Sequence, residues 1–316
     1  QITATAGERV VFTVVINEED GDYTFTLLDS LDHDAVNVED NIDLHFDFTA
    51  VDADGDEISS TIQVLVNDDV PLHFINTNYE NNQRVVVRLD ENVGVEPASN
   101  DSHDPSLLAL FEGVEDLADG MLTYAQSSSS LVDISDSWLG ADSSSSSVTL
   151  NFSISPELTY GLSEEVRIMY ENGFSGLYTT DGDPIYLEQI NATFVIGRIE
   201  SNGVLGDTAF ALHLSQEGIV SVAQYSPLSH VYENGDTEIP VDSKFISTNS
   251  GLKIDAKFTD GDGDSNTKSV NVGNQVYFID DNPVAADDLV DLMGAEVKVI
   301  NVLGNDYLGM DGVAWS

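Results

Sequence analysis

The sequence contains no cysteine. Disulfides and thiolate metal sites are therefore excluded, and any staple against unfolding is of another kind. Positive charge is scarce. Ten Lys and Arg stand against 57 Asp and Glu, a formal net charge of -47 over 316 residues. Such a surface repels the phosphates of nucleic acid and the face of an anionic bilayer. No apolar run approaches the roughly 18 residues of a membrane span. No signal peptide opens the chain, and the pattern starts and stops in mid-element, as expected of a piece of something longer. What is present is a 41% hydrophobic content, enough for real cores in two or three domains. Self-repulsion at this charge opposes compaction unless counter-ions neutralise it, and multivalent cations do so with the fewest ions.

The carboxylates concentrate at two places. Thr259-Asp-Gly-Asp-Gly-Asp264 is closed by Asp280-Asp-Asn-Pro283, and Val51-Asp-Ala-Asp-Gly-Asp56 is closed by Asp68-Asp-Val-Pro71. Each copy sets three carboxylates at alternate positions with glycine among them. Hard divalent cations, calcium above all, take several oxygen ligands on a tightly turned backbone, and glycine supplies the positive φ such a turn needs. The stretches read as calcium-binding inter-strand loops, with Asp52, Asp54 and Asp56 in one and Asp260, Asp262 and Asp264 in the other. Asp68, Asp69, Asp280 and Asp281 are the candidates to complete them. The competing reading is a pair of solvated β-turns. Neither loop is an EF-hand, because the twelfth position is Gln63 in one and Asn271 in the other, where a bidentate Glu belongs. The glycine-rich nonapeptide of a parallel β-roll is absent too, so discrete sites are expected. Asp20 with Asp22, and Asp181 with Asp183, divide evenly between ligand pairs and ordinary turns.

Between the loops the chain reads as strands. Arg9-Val-Val-Phe-Thr-Val-Val-Ile16 is a short β-branched run, while residues 23–27, 42–48 and 148–154 alternate apolar and polar, the period of a half-buried strand. Strands at short spacing with acidic turns predict an all-β chain of β-sandwich type. One short helix is expected in the central region. Asp104-Pro105 offers an N-cap and an N1 proline. Leu107, Leu108, Phe111, Val114 and Leu117 follow at helical spacing, and Gly120 ends it. Residues 21–33 align with 218–230 at an offset of 197, which grows to 208 at the acidic loops and 212 at the closing Asp-Asp-x-Pro. The growth is a loop insertion, and the repetition marks a tandem array of one module. The expected organisation has four parts. Residues 1–71 are the C-terminal part of a repeat module, open to being half of a split domain. Residues 72–209 are a central β-rich region for ligand binding, 210–283 a second copy of the repeat element, and 284–316 a linker or the start of a following module.

Taken in order, several landmarks resemble the long repeat modules of giant type I-secreted RTX adhesins of Gram-negative bacteria. They are Leu89-Asp-Glu91, Ser175-Gly-Leu-Tyr-Thr-Thr-Asp-Gly182, Leu228-Ser-His230, the Thr-Asp-Gly-Asp-Gly-Asp loop and Asp280-Asp-Asn-Pro283. Asn282-Pro-Val-Ala-Ala-Asp-Asp288 and Asn301-Val-Leu-Gly-Asn-Asp306 are similar to the cadherin-like modules that often follow. The resemblance implies Ig-like or cadherin-like β-sandwich modules stiffened by several Ca2+ ions. It also implies export by type I secretion, display at the bacterial cell surface, and a role in attachment and biofilm formation. The implied partner is a peptide or glycan on a host or community cell surface, with no nucleic acid, no membrane insertion by this stretch, and a monomeric piece. Such adhesins combine extender modules with ligand-binding ones. The polar, Ser-rich stretch 90–147 leans towards ligand binding, and a purely structural extender is the alternative.

Enzymatic signatures are weak. No HExxH is present, Gly173-Phe-Ser-Gly176 is one residue short of a nucleophile elbow, and carboxylates are too abundant for any pair to single out a glycosidase. The chain is read as a non-enzyme, with a glycosidase or peptidase domain as a third reading. Trp138, Tyr124 and Tyr178 are the candidates for a recognition surface. The alternative for them, as for Tyr160, Tyr170 and Tyr186, is packing in core and rim. His33 and His230 occupy equivalent repeat positions, which points to a structural role.

Overall fold

A computed structural model of the chain describes residues 1–29, 31, 41–67, 72–91, 105–112, 120–121, 123–138, 146–156, 163–234, 237–240, 243–261, 263–281, 284–289, 299–307 and 309. The chain is all-β with short helices, and it divides into two compact units. Residues 1–75, 134–149 and 256–268 make the first, and 76–133, 150–255 and 269–316 the second. Among the described residues no helix is long and apolar enough to cross a membrane.

The first unit opens with strands β1 (Ile2–Ala6), β2 (Arg9–Ile16) and β3 (Tyr23–Leu27), an antiparallel sheet in that order. Strands β4 (Asn41–Val51) and β5 (Glu57–Asn67) form a long hairpin around the first acidic loop, paired from Asn41↔Asn67 to Val51↔Glu57. Along β4, Ile42, Leu44 and Phe46 are half-buried while Asp43, His45 and Asp47 are exposed, as the two-residue period of a strand dictates. The core here is small. Val11, Phe12 and Val14 are buried against Phe25, Leu44 and Phe46, with the Phe12 ring 5.1 Å from Phe25 and 5.9 Å from Phe46.

Beyond residue 75 come β6 (Asn76–Thr77), β7 (Tyr79–Glu80), β8 (Gln83–Arg84), β9 (Val87–Asp90) and helix α1 (Pro105–Phe111). Strands β10 (Thr123–Gln126), β11 (Val132–Asp133) and β12 (Ser147–Ile154) lead to helix α2 (Glu164–Glu171). Strands β13 (Phe174–Tyr178), β14 (Pro184–Gln189), β15 (Phe194–Ser201), β16 (Val204–Leu214) and β17 (Val220–Gln224) follow. Then come β18 (Val231–Asn234), β19 (Thr237–Pro240), β20 (Ser243–Phe245), β21 (Leu252–Thr259), β22 (Ser265–Asn271) and β23 (Val276–Ile279). The largest sheet is antiparallel with order β10-β17-β16-β15-β14-β13. Phe111 of α1 packs on its Ile196, Ala211 and Ala223. Two three-stranded sheets have orders β12-β21-β22 and β20-β23-β9, and β23 pairs with β9 in parallel.

The expectation of a single helix is corrected, since the described residues hold two α-helices. The Ser163 hydroxyl caps α2 by accepting from the Val166 amide (3.3 Å). Glu164 and Glu165 suit the positive end of its dipole, and Tyr170 packs on Phe174 and Tyr186. Of the helix expected at Pro105, α1 holds Leu107, Leu108 and Phe111. Val114 and Leu117 lie outside the described residues.

The two copies of the repeat share one register. The pairing of β1 with β2 steps from Ala4↔Phe12 to Thr5↔Val10, bulging at Val11. The pairing of β15 with β16 steps from Gly197↔Phe210 to Arg198↔Thr208, bulging at Ala209. Each bulge carbonyl takes two amides. The Leu28 and Asp29 amides donate to Val11 (2.7 and 3.1 Å), and the Tyr225 and Ser226 amides donate to Ala209 (2.7 and 3.2 Å). Bulges re-aim a strand at a fixed place. Phe12 thus corresponds to Phe210, and β1-β2-β3 to β15-β16-β17.

Candidate metal centre

The two acidic loops close in the same way. The Asp52 amide donates to the Asp56 carbonyl, and the Asp260 amide to that of Asp264, both at 3.0 Å. The Gly55 amide donates to Asp52 Oδ1 (3.0 Å), and the Gly263 amide to Asp260 Oδ1 (3.1 Å). Both glycines sit at positive φ, 96° and 107°, where a side chain would be strained. Asp52 Oδ1 also accepts from the Asp54 and Asp56 amides (3.2 and 2.8 Å). Its carboxyl lies below the usual aspartate range, held there first by a hydrogen bond shared with the Asp54 carboxyl and then by the Asp56 amide. Oxygens of Asp52, Asp54 and Asp56 all lie within 4.8 Å of one another on an exposed turn. Asp260 and Asp264 are buried. Asp262, Asp68 and Asp69 lie outside the described residues.

A second group gathers where two parallel strands end. The register of β23 on β9 sets Ile279 beside Asp90, and the Glu91 amide donates to the Ile279 carbonyl (3.1 Å). Asp280 is thereby brought to Glu91, and both to His230, with one ligand atom from each within 4.8 Å of the others. Glu91 Oε1 accepts from the Leu228 amide (3.0 Å) and from the Gln224 side-chain amide. His230 faces carbonyl oxygens on both sides, Leu228 at 3.0 Å from Nδ1 and Phe278 at 3.2 Å from Nε2. In a neutral imidazole one ring nitrogen donates and the other keeps its lone pair, and Nδ1 also lies 3.5 Å from Asp280 Oδ1. Glu91 and Asp280 offer carboxylate oxygens, the ligands that Ca2+ and Mg2+ take, with His230 as the third group of the cluster. Asp90, Glu91 and Asp281 are all nearly fully buried. Carboxylates buried in such number need compensating charge or donors. One donor is the Tyr307 hydroxyl, 2.7 Å from Asp281 Oδ2. Burial, that bond and the charges of Asp281, Asp90 and Glu91 push its phenol up to about 12.

The other expected residues are more dispersed. Asp20 and Asp22 share an exposed turn in which the Asp22 amide donates to Asp20 Oδ1 (3.0 Å). Asp181 and Asp183 border a cleft of about 430 Å3 that Thr179, Ser201 and Asp207 also line, and the Ser201 hydroxyl donates to Asp183. Among the described residues neither pair joins a third metal-ligating side chain. Trp138 is half exposed and pairs its backbone with Leu72. Tyr124 packs beside Phe111 and Ile196. Tyr178 is 40% exposed, its ring 5.2 Å from Phe174. Tyr170 and Tyr186 are core residues, and Tyr160 lies outside the described residues.

Sequence reasoning missed Glu91 and His230 as neighbours of Asp280. The available signal was an acidic pair, Asp90-Glu91, directly after a short apolar strand, mirroring Asp280-Asp281 after β23. No curated protein and no solved structure matches the chain. Residues 86–273, more than half of the chain, match the family profile described as a domain of unknown function, DUF5801, and the chain belongs to that family.

Proposed function

We propose that the chain is a calcium-dependent ligand-binding module of a large bacterial adhesin of the RTX type. It is exported by type I secretion, displayed at the cell surface, and used in attachment and biofilm formation. The observation that carries the reading is the acidic loop built twice with two closing hydrogen bonds in common, in a chain of net charge -47. Calcium at such loops neutralises self-repulsion and ties strand ends together. The Glu91 and Asp280 carboxylates supply further oxygen ligands at a strand end. A calcium ion there with a free coordination position binds a peptide carboxylate or sugar hydroxyls directly, which lets an acidic protein hold an anionic group. The ligand region is the stretch 72–209, and the ligand is a peptide or glycan.

Peptide and glycan arrays probed with the chain, in millimolar calcium and again in EDTA, test this. Signal on a defined ligand set in calcium alone is the expected result. Blank arrays in both conditions leave a calcium-stiffened extender as the function. Turnover of an arrayed substrate would replace both with an enzyme.

A further inference from the structure

The two copies differ in what flanks them. Strand β21 lies between β12 and β22, whereas among the described residues its counterpart β4 pairs with β5 alone. The offset of 208 at the acidic loops makes Leu44, Phe46, Phe48 and Ala50 equivalent to Leu252, Ile254, Ala256 and Phe258. All four residues of β21 are fully buried. On β4 the first two are half-buried, Phe48 is 36% exposed and Ala50 is exposed. The hydroxyl of Ser153 in β12 donates to Asp255 of β21 (2.9 Å), and β4 carries the same acid at the equivalent position, Asp47.

We propose that the edge of β4 left unpaired among the described residues is a docking edge for a strand of the β12 type, Ser-Val-Thr-Leu-Asn-Phe-Ser-Ile, supplied by another copy of this repeat. An unpaired edge presents a row of amides and carbonyls to any extended segment. Backbone hydrogen bonds give such strand addition its affinity, and alternate side chains give it specificity. In the second copy the apolar side chains Leu150 and Phe152 of β12 are buried, next to the strand that β4 duplicates. A β12-type strand brings the same apolar alternation to Phe48 and a serine to Asp47. Asp43 and Asp47 on the exposed face of β4 disfavour a generic acidic or flat strand.

The test fuses residues 145–156 through a flexible Gly-Ser linker ahead of Gln1 of the full chain. The control fuses the same residues in scrambled order. A short flexible linker gives an effective concentration of about millimolar, so even weak docking is populated. Hydrogen exchange read by NMR or mass spectrometry should slow at least about tenfold at alternate amides of β4 with the native fusion and not with the scrambled one. The synthetic peptide added to the unfused chain should protect the same amides. Equal exchange in both fusions, or protection that falls on strands other than β4, overturns the proposal.

Discussion

The repeat element occurs twice with one register and two degrees of burial. Val11 and Ala209 form the same bulge, and each accepts two amides from the residues that follow the next strand. Yet Ile16 is 39% exposed where the equivalent Leu214 is fully buried, and Tyr23 is 49% exposed where Val220 is fully buried. Local sequence decides the turn, the bulge and the strand pairing. Neighbouring strands decide how much apolar surface leaves water, and that area carries most of the stabilisation. The second copy has β10 outside β17, β14 and β13 outside β15, and β12 outside β21.

The largest contrast should appear on deleting the equivalent core rings. Phe210→Ala empties a fully buried site beside Phe278 and should cost about 3–5 kcal/mol. Phe12→Ala acts on a small open cluster that can collapse, and should cost nearer to about 2 kcal/mol. Equal losses in urea unfolding would break the comparison.

The acidic loops should rank next. Asp260→Asn removes a buried carboxylate and, at calcium about a hundredfold above Kd, should cost about 2.7 kcal/mol in calcium and little in EDTA. Asp52→Asn, on an exposed turn, should lose less of the calcium increment. Loss of the same size with and without calcium would make the loops plain turns.

A smaller effect tests the match of Ala4 with Gly197. A Cβ at Gly197 would lie 2.4 Å from the Phe210 ring, so Gly197→Ala should cost about 1–3 kcal/mol through overpacking. Ala4→Gly in the first copy should cost only about 0.5–1 kcal/mol, the usual backbone penalty of glycine in a strand. A neutral Gly197→Ala would show that the second core is looser than its burial implies.

The smallest effect concerns pH. Burial lowers the pKa of His213 below its ordinary 6.5, so the unfolded chain binds a proton there before the folded one does. Stability is therefore lost as pH falls below about 6.5. The first copy carries Val15 at the equivalent position. His213→Val should flatten the stability profile between pH 7 and 5, and an unchanged slope would place the acid sensitivity elsewhere.

Strand positions were legible because β2, β4 and β12 carry β-branched runs or clean alternation, and the acidic loops because glycine and aspartate sit at turn positions. Helix α2 was legible in principle. Ser163, two glutamates and Gly173 punctuate it, but Ile168, Met169 and Tyr170 lead into the apolar strand β13 and hide the change of period. The cluster of Glu91, His230 and Asp280 was not legible. It depends on the parallel pairing of β9 with β23, and no local pattern announces which distant strands lie side by side. The same limit applies to burial, since nothing within residues 42–50 or 250–258 says which strand will have two neighbours.

Thermal unfolding of the chain in millimolar calcium against the same protein in EDTA tests the central claim most directly. Each occupied site adds RT ln(1 + [L]/Kd), about 2.7 kcal/mol at a hundredfold excess over Kd. Several sites should raise the midpoint by many degrees in calcium, and Asp260→Asn should reduce that rise. One midpoint in both conditions would contradict the account, leaving the acidic loops as solvated turns and the charge of -47 without its counter-ions.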